Sequence, residues 1–210
     1  MAPANQAPAM WLGLPNLLTL SRVAVIPVFV AAFFLPAQAA DWATFVLFVA
    51  ASATDYADGW LARRREQETA LGRFLDPIAD KLLVAAALVM LVWLARAPAL
   101  AALVILCREI MVSGLREFLA GREVTLPVSR LAKWKTAIQM LSLCVLLAAG
   151  AAPALGLGTD QALALGGGLL WLAALLTAVT GLDYLRVGLR HMAARDRPAA
   201  QSLRAAGRRR

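Results

Sequence analysis

The sequence predicts an all-α, polytopic integral membrane protein with six transmembrane helices, and three observations lead there. Of its 210 residues, 61% are hydrophobic and only 16% charged, more apolar surface than a soluble domain of this size needs. Charge-free stretches recur along the chain, at 23–40, 42–54, 82–95, 97–107, 136–159 and 161–182. The basic residues gather in alternate connections, the pattern that orients a multi-pass protein.

These stretches place helices at roughly 17–37, 42–64, 71–95, 97–119, 131–152 and 161–187. The second, third and fourth stretches are too short to cross alone: 42–54 rises only about 20 Å against a hydrocarbon layer of about 30 Å. Their charged continuations must complete the crossing. Arg64, Arg65 and Arg73 lie between helices two and three, Arg122 and Arg130 between four and five, and a run from Arg186 to Arg210 follows helix six, whereas the opposite loops hold Arg96 alone. The positive-inside rule then puts both termini, and the residues of the second and third helices next to these basic connections, on the cytoplasmic side. Arg22, an apolar run and Ala37-Gln38-Ala39 imitate a cleaved signal peptide, but Trp11–Leu20 is already apolar, and the segment reads as a retained helix. Residues 1–190 form one domain without internal repeats, and 191–210 form a basic, disordered tail. Cys107 and Cys144 lack metal-ligand spacing and read as core thiols.

Four of the eight aspartates fall within 26 residues, as Asp55-x-x-Asp58-Gly59-x-x-Ala62-Arg63 and then Gly72-x-x-x-Asp76-x-x-x-Asp80. Carboxylates at membrane depth cost several kcal/mol unless compensated, which makes them functional candidates. Hard divalent cations such as Mg²⁺ or Mn²⁺ prefer carboxylate oxygens and share them with substrate phosphates. On a helix Asp55 and Asp58 lie about 60° apart, and Asp76 and Asp80 one turn apart. Two such helices could hold two ions about 4 Å apart, the separation used in two-metal catalysis. Gly59, Ala62 and Gly72 leave room for a bulky ligand, and Arg63 meets its phosphates. Pro77 either bends the third helix or frees the carbonyl of Arg73. The alternative is a solvated face in which the aspartates pair with Arg63, Arg64, Arg65, Arg73 and Lys81, and it gives no reason for the small residues.

This string resembles the signature of the CDP-alcohol phosphatidyltransferases, and every position of it is present. The resemblance implies that a CDP-linked lipid binds with its diphosphate on the metals, that an alcohol attacks the lipid-side phosphorus, and that CMP leaves. It implies metal-ligand roles for Asp55, Asp58, Asp76 and Asp80, with Asp80 also the general base. Asp55, Asp58, Gly59, Ala62, Arg63 and Gly72 would bind the CDP moiety. A homodimer is the assembly it implies.

The acceptor alcohol must be read elsewhere. Arg108 sits at a depth like that of Asp80, Arg116 lies two turns nearer the cytoplasm on a similar face, and Lys133 and Lys135 open the fifth helix on the same side. Converging cations suit a small anionic acceptor, since buried arginines need partners and phosphate matches the guanidinium fork. Alternatively Arg108 pairs with Glu109 or Glu117, and the lysines anchor a helix. Arg108-Glu109-Ile110, Gly114-Leu115-Arg116-Glu117, Lys133-Trp134-Lys135-Thr136-Ala137, Pro15-Asn16-Leu17-Leu18-Thr19 and Asp183-Tyr184 resemble the bacterial branch of the family that makes phosphatidylglycerophosphate. That implies CDP-diacylglycerol as donor and sn-glycerol-3-phosphate as acceptor. Inositol phosphate, serine and phosphatidylglycerol remain the alternatives.

The net charge of +8 could suggest nucleic acid, but these basic residues are juxtamembrane, where anionic membrane lipids are the nearer partner. An intramembrane prenyltransferase would separate its two aspartate motifs widely, and a cation transporter would show inverted repeats or broken helices.

Substituting Asp55, Asp58 or Asp76 by Asn is expected to remove most activity and weaken metal binding, because an amide is a poor ligand for a hard cation. Assay of EDTA-treated protein checks this, and full activity without metal would rule the two-metal site out.

Overall fold

The computed structural model describes residues 14–65, 70–120 and 130–207, with side chains for most of 21–54, 78–119 and 131–189. Among these residues every regular element is helical. The six helices are α1 (Leu14–Ala32), α2 (Ala37–Arg65), α3 (Ala70–Trp93), α4 (Ala99–Ala120), α5 (Arg130–Leu147) and α6 (Thr159–Gly207), and a 3₁₀ segment, Ala149–Leu155, follows α5.

Local chemistry explains where the helices stop. Pro36 cannot extend α1, and its carbonyl instead accepts from Ala40 at the opening of α2 (2.9 Å). After α3 the chain turns at Ala95, whose φ of 55° is left-handed. Arg96 N then donates to Leu91 O at 2.9 Å, closing the helix end in the manner of a Schellman turn. Gly156 does the same after the 3₁₀ segment at φ 75°, where a side chain would be strained. The fifth helix was expected to reach 152 but ends at Leu147. A Cβ at Gly150 would fall on the Asp41 carboxylate, so the chain there makes a close approach to α2 in a 3₁₀ turn rather than continuing as an α-helix. α6 runs on to Gly207, through the stretch read from sequence as a disordered tail, in keeping with the helix propensity of its Ala, Leu and Arg.

The helices close on one core. Phe29 and Phe33 of α1, Phe48 of α2, Leu88 and Leu91 of α3, Ile105 of α4, Leu143, Leu146 and Leu147 of α5, and Leu170 of α6 are all buried there. Alanines at 87, 101, 102, 173 and 174 line the same core and let the helices approach closely. α6 packs along α4 and α5, while α1 packs on α2 and α3. Two glycines of α6 take side chains of its neighbours at van der Waals range: Gly166 meets Leu146, and Gly188 meets Leu115. Cys107, expected in the core, is exposed on the outer side of α4.

At one end of the bundle the buried carboxylate of Asp41 accepts a hydrogen bond from Arg96 and lies against Gly150. One side chain thus ties together the opening of α2, the α3–α4 turn and the α5–α6 connection. Among the described residues one stretch, Thr159–Leu189, is long and apolar enough to cross a membrane.

Removing Arg96 strands the Asp41 charge, and a lost hydrogen bond to a charged group costs about 1.5–3 kcal/mol. Arg96→Ala is therefore expected to lower Tm in detergent. Adding Asp41→Asn to that variant should recover part of the loss, which thermal unfolding of the single and double variants checks.

Candidate active site

All eight positions of the aspartate motif rest on helix. α2 runs unbroken through residues 55–63 to Arg65, and α3 opens at Ala70 and carries positions 72, 76 and 80 without a break at 77. Only residues 66–69 join the two helices, so chain length alone keeps those helix ends within about 18 Å. The side chains of Asp55, Asp58, Gly59, Ala62, Arg63, Gly72, Asp76 and Asp80 lie outside the described residues. Among the described side chains no group of three His, Cys, Asp or Glu is placed to hold a metal.

The cations expected from the sequence do converge, with one exception. Arg108 is buried between α4 and α6. Its Nη1 donates to Glu109 Oε1 at 3.2 Å and its Nη2 to Thr180 Oγ1 at 3.4 Å, while its Nε has no hydrogen-bond partner among the described residues. Lys135, buried on α5, reaches the same Glu109 oxygen. Arg116 donates to the Tyr184 hydroxyl at 3.1 Å. The Tyr184 ring lies beneath both guanidinium groups, 5.6 Å from that of Arg108 and 5.1 Å from that of Arg116. Lys133 does not join the cluster and is exposed. Two residues on one helix point about 200° apart, so burying Lys135 turns Lys133 outward.

The pairing of Arg108 with Glu109 that the sequence left open is therefore real, but it does not balance the charge. One carboxylate serves both buried cations, Arg108 and Lys135, while Arg116 is exposed and meets, among the described residues, a phenol and its π-face. A surplus of positive charge in a poorly hydrated interior is stable when an anion completes it. The arrangement can bind a phosphate through a planar guanidinium fork and a mobile ammonium.

Several members of this site were not read from the sequence. Thr180 and Gly181 sit on an apolar helix with no charge pattern to mark them. Gly181 is needed because a Cβ there would lie 2.7 Å from Arg108 Cγ. Tyr184 was noted only as part of a motif. Its signal is position: one turn beyond Thr180, it is a buried tyrosine on the face that meets α4.

Comparison with known proteins adds the frame. The family model described as CDP-alcohol phosphatidyltransferase matches residues 12–179. The chain belongs to the CDP-alcohol phosphatidyltransferase family. Among its relatives is a protein of Rickettsia felis, 44% identical over 173 residues that cover 82% of this chain and 93% of the relative. A Pseudomonas fluorescens protein is 49% identical over 146 residues, covering 65% of this chain and 73% of its own length. Both are named CDP-diacylglycerol–glycerol-3-phosphate 3-phosphatidyltransferase. A chloroplastic/mitochondrial protein of Arabidopsis thaliana with the same activity in its name is 39% identical over 192 residues, 83% of this chain and 62% of the relative. The family match takes in both halves of the aspartate motif and the Arg108–Lys135 cluster, which makes this region of a CDP-alcohol phosphatidyltransferase the candidate active site.

Tyr184→Phe keeps the ring under both arginines and loses the hydrogen bond from Arg116, so phosphatidyltransferase activity should fall roughly tenfold. Tyr184→Leu also removes the cation–π support and should fall further. Steady-state kinetics of the two variants in detergent check the order.

Proposed function

We propose that this phosphatidyltransferase moves the phosphatidyl group of CDP-diacylglycerol to sn-glycerol-3-phosphate, yielding phosphatidylglycerophosphate and CMP. The observation that carries the acceptor is the gathering of three cations, Arg108 and Lys135 on the one carboxylate of Glu109 and Arg116 on the Tyr184 ring that also underlies Arg108. The names of the Rickettsia and Pseudomonas relatives point the same way. Serine, with one carboxylate offset by its own ammonium, would complement this positive charge less well than a phosphate.

The family is generally dependent on divalent metal, and the donor set here fits that requirement. Asp55, Asp58, Asp76 and Asp80 supply only hard carboxylate oxygens, from consecutive helices joined by four residues. They would hold two Mg²⁺ or Mn²⁺ ions, which when bound draw charge from the diphosphate. The protein's own residues do the rest. Gly59, Ala62 and Gly72 make room for the CMP moiety, and Arg63 reaches its phosphates. Arg108, Arg116 and Lys135 hold the acceptor phosphate. Asp80 accepts the proton of the acceptor hydroxyl as its oxygen bonds to the lipid-side phosphorus. The bond from that phosphorus to the CMP oxygen breaks, and CMP carries the electron pair away.

The same reading makes the protein a six-span enzyme of the bacterial cytoplasmic membrane, with termini and site facing the cytoplasm, working as a homodimer. The family is membrane-associated. Large apolar side chains also cover the outside of the helices, among them Val46, Leu103, Ile110, Leu165 and Leu175, each more than half exposed. Such a surface suits lipid rather than water. Basic residues at the cytoplasmic end would meet anionic lipid headgroups, with no part for nucleic acid.

Release of CMP from CDP-diacylglycerol, measured with glycerol-3-phosphate, glycerol, serine, inositol phosphate and phosphatidylglycerol in turn, tests the assignment. Neutralising Arg116 or Lys135 should raise KM for glycerol-3-phosphate roughly tenfold or more while affecting CDP-diacylglycerol less. Equal turnover of glycerol or serine would overturn the acceptor. Asp80→Asn should retain CDP-diacylglycerol while losing turnover, and parallel loss of nucleotide binding would reduce Asp80 to a ligand.

A further inference from the structure

The excess of positive charge around Glu109 extends to a helix that the acceptor cluster does not otherwise use. Lys81 follows Asp80 directly on α3 and is half-buried, and its ammonium donates to Ser113 Oγ on α4. Ser113 stands about one turn from Glu109 in one direction and from Arg116 in the other. The charge of Lys81 acts on Glu109 together with those of Lys135 and Arg108. Glu109, however, already engages Lys135 and Arg108. A hydroxyl orients an ammonium without neutralising it, so among the described residues Lys81 is a charge with a neutral partner in a site of limited hydration. Such a charge gains most when an anion arrives.

We infer that Lys81 is a further ligand of the acceptor phosphate, held by Ser113 in the free enzyme and turned onto a phosphate oxygen when glycerol-3-phosphate binds. This rests on the acceptor reading above. A lysine suits the task because its flexible stem carries three rotatable donors. Its place next to Asp80 gives α3 a hold on both ends of one small molecule: the phosphate through Lys81 and the reacting hydroxyl through the base. Holding both ends fixes the direction from which the hydroxyl approaches.

The experiment compares the parent enzyme with Lys81→Gln, Lys81→Arg and Ser113→Ala in detergent with CDP-diacylglycerol. It measures KM for each substrate and, without donor, the thermal stabilisation produced by sn-glycerol-3-phosphate. Lys81→Gln should raise KM for glycerol-3-phosphate roughly tenfold and shrink the thermal shift. Its KM for CDP-diacylglycerol should change little. Lys81→Arg should recover most of the loss, and Ser113→Ala should leave KM for glycerol-3-phosphate equal or lower, since it releases the lysine. An unchanged acceptor KM in Lys81→Gln would overturn the inference. So would a rise confined to CDP-diacylglycerol or to the metal requirement, which would assign Lys81 to the donor side and the aspartates. Should Lys81→Gln fail to fold, a raised acceptor KM in Ser113→Ala would overturn it equally. If the parent enzyme does not use glycerol-3-phosphate, the acceptor reading falls and takes this inference with it. If the parent uses it and only the Lys81 results fail, the acceptor reading stands.

Discussion

Glu109 is the point on which the polar interior of this bundle turns. A carboxylate in an apolar helix is costly, and so is each buried cation, but together they hold one another. Arg108 comes from the same helix as Glu109 and Lys135 from α5, and both bind one oxygen of it. The pairing links α4 to α5 through side chains, while Thr180 and Tyr184 hold the arginines against α6. Glu109 is sufficient to organise the cations and insufficient to neutralise them. A site that was balanced would be finished without substrate; this one is organised and still attractive to an anion.

α6 contributes in a different way. Along its length it offers mainly absence: Gly166, Gly181 and Gly188 give up side-chain volume to Leu146, Arg108 and Leu115 in turn. The first and third are packing devices that bring α5 and α4 close. The second lets the stem of an arginine lie across the helix, so that its charged end reaches Thr180 and the Tyr184 ring. The same geometric concession thus serves the core at one level and the site at another.

Much of this was legible in the sequence because helices in an apolar chain are marked by where charge is missing. The expected third and fourth helices, 71–95 and 97–119, compare with Ala70–Trp93 and Ala99–Ala120. Misplaced ends trace to tertiary contacts. α5 stops short because Gly150 must approach Asp41, a residue more than a hundred positions away, and no local pattern announces that. In the site, Arg108, Arg116 and Lys135 stood out because charges in apolar helices are conspicuous. Lys133 stood out equally and is exposed, since adjacency in sequence is not adjacency on a helix. Thr180, Gly181 and Tyr184 look like ordinary members of an apolar helix and gain meaning only once α4 is laid beside them. The aspartate motif is different in kind: its meaning came from fixed spacing and residue types together, and its side chains lie outside the described residues.

The Asp41–Arg96 pair has a bearing on how the chain could enter a membrane. Arg96 is the one basic residue of the sequence-predicted non-cytoplasmic loops, and an isolated arginine there opposes translocation of its hairpin. Its partner belongs to the preceding hairpin, which is synthesised first. The second hairpin would therefore meet a carboxylate already waiting at the far side, which would neutralise the arginine as it arrives. A contact that in the finished fold ties three turns together would, during assembly, give the later hairpin its docking point on the earlier one.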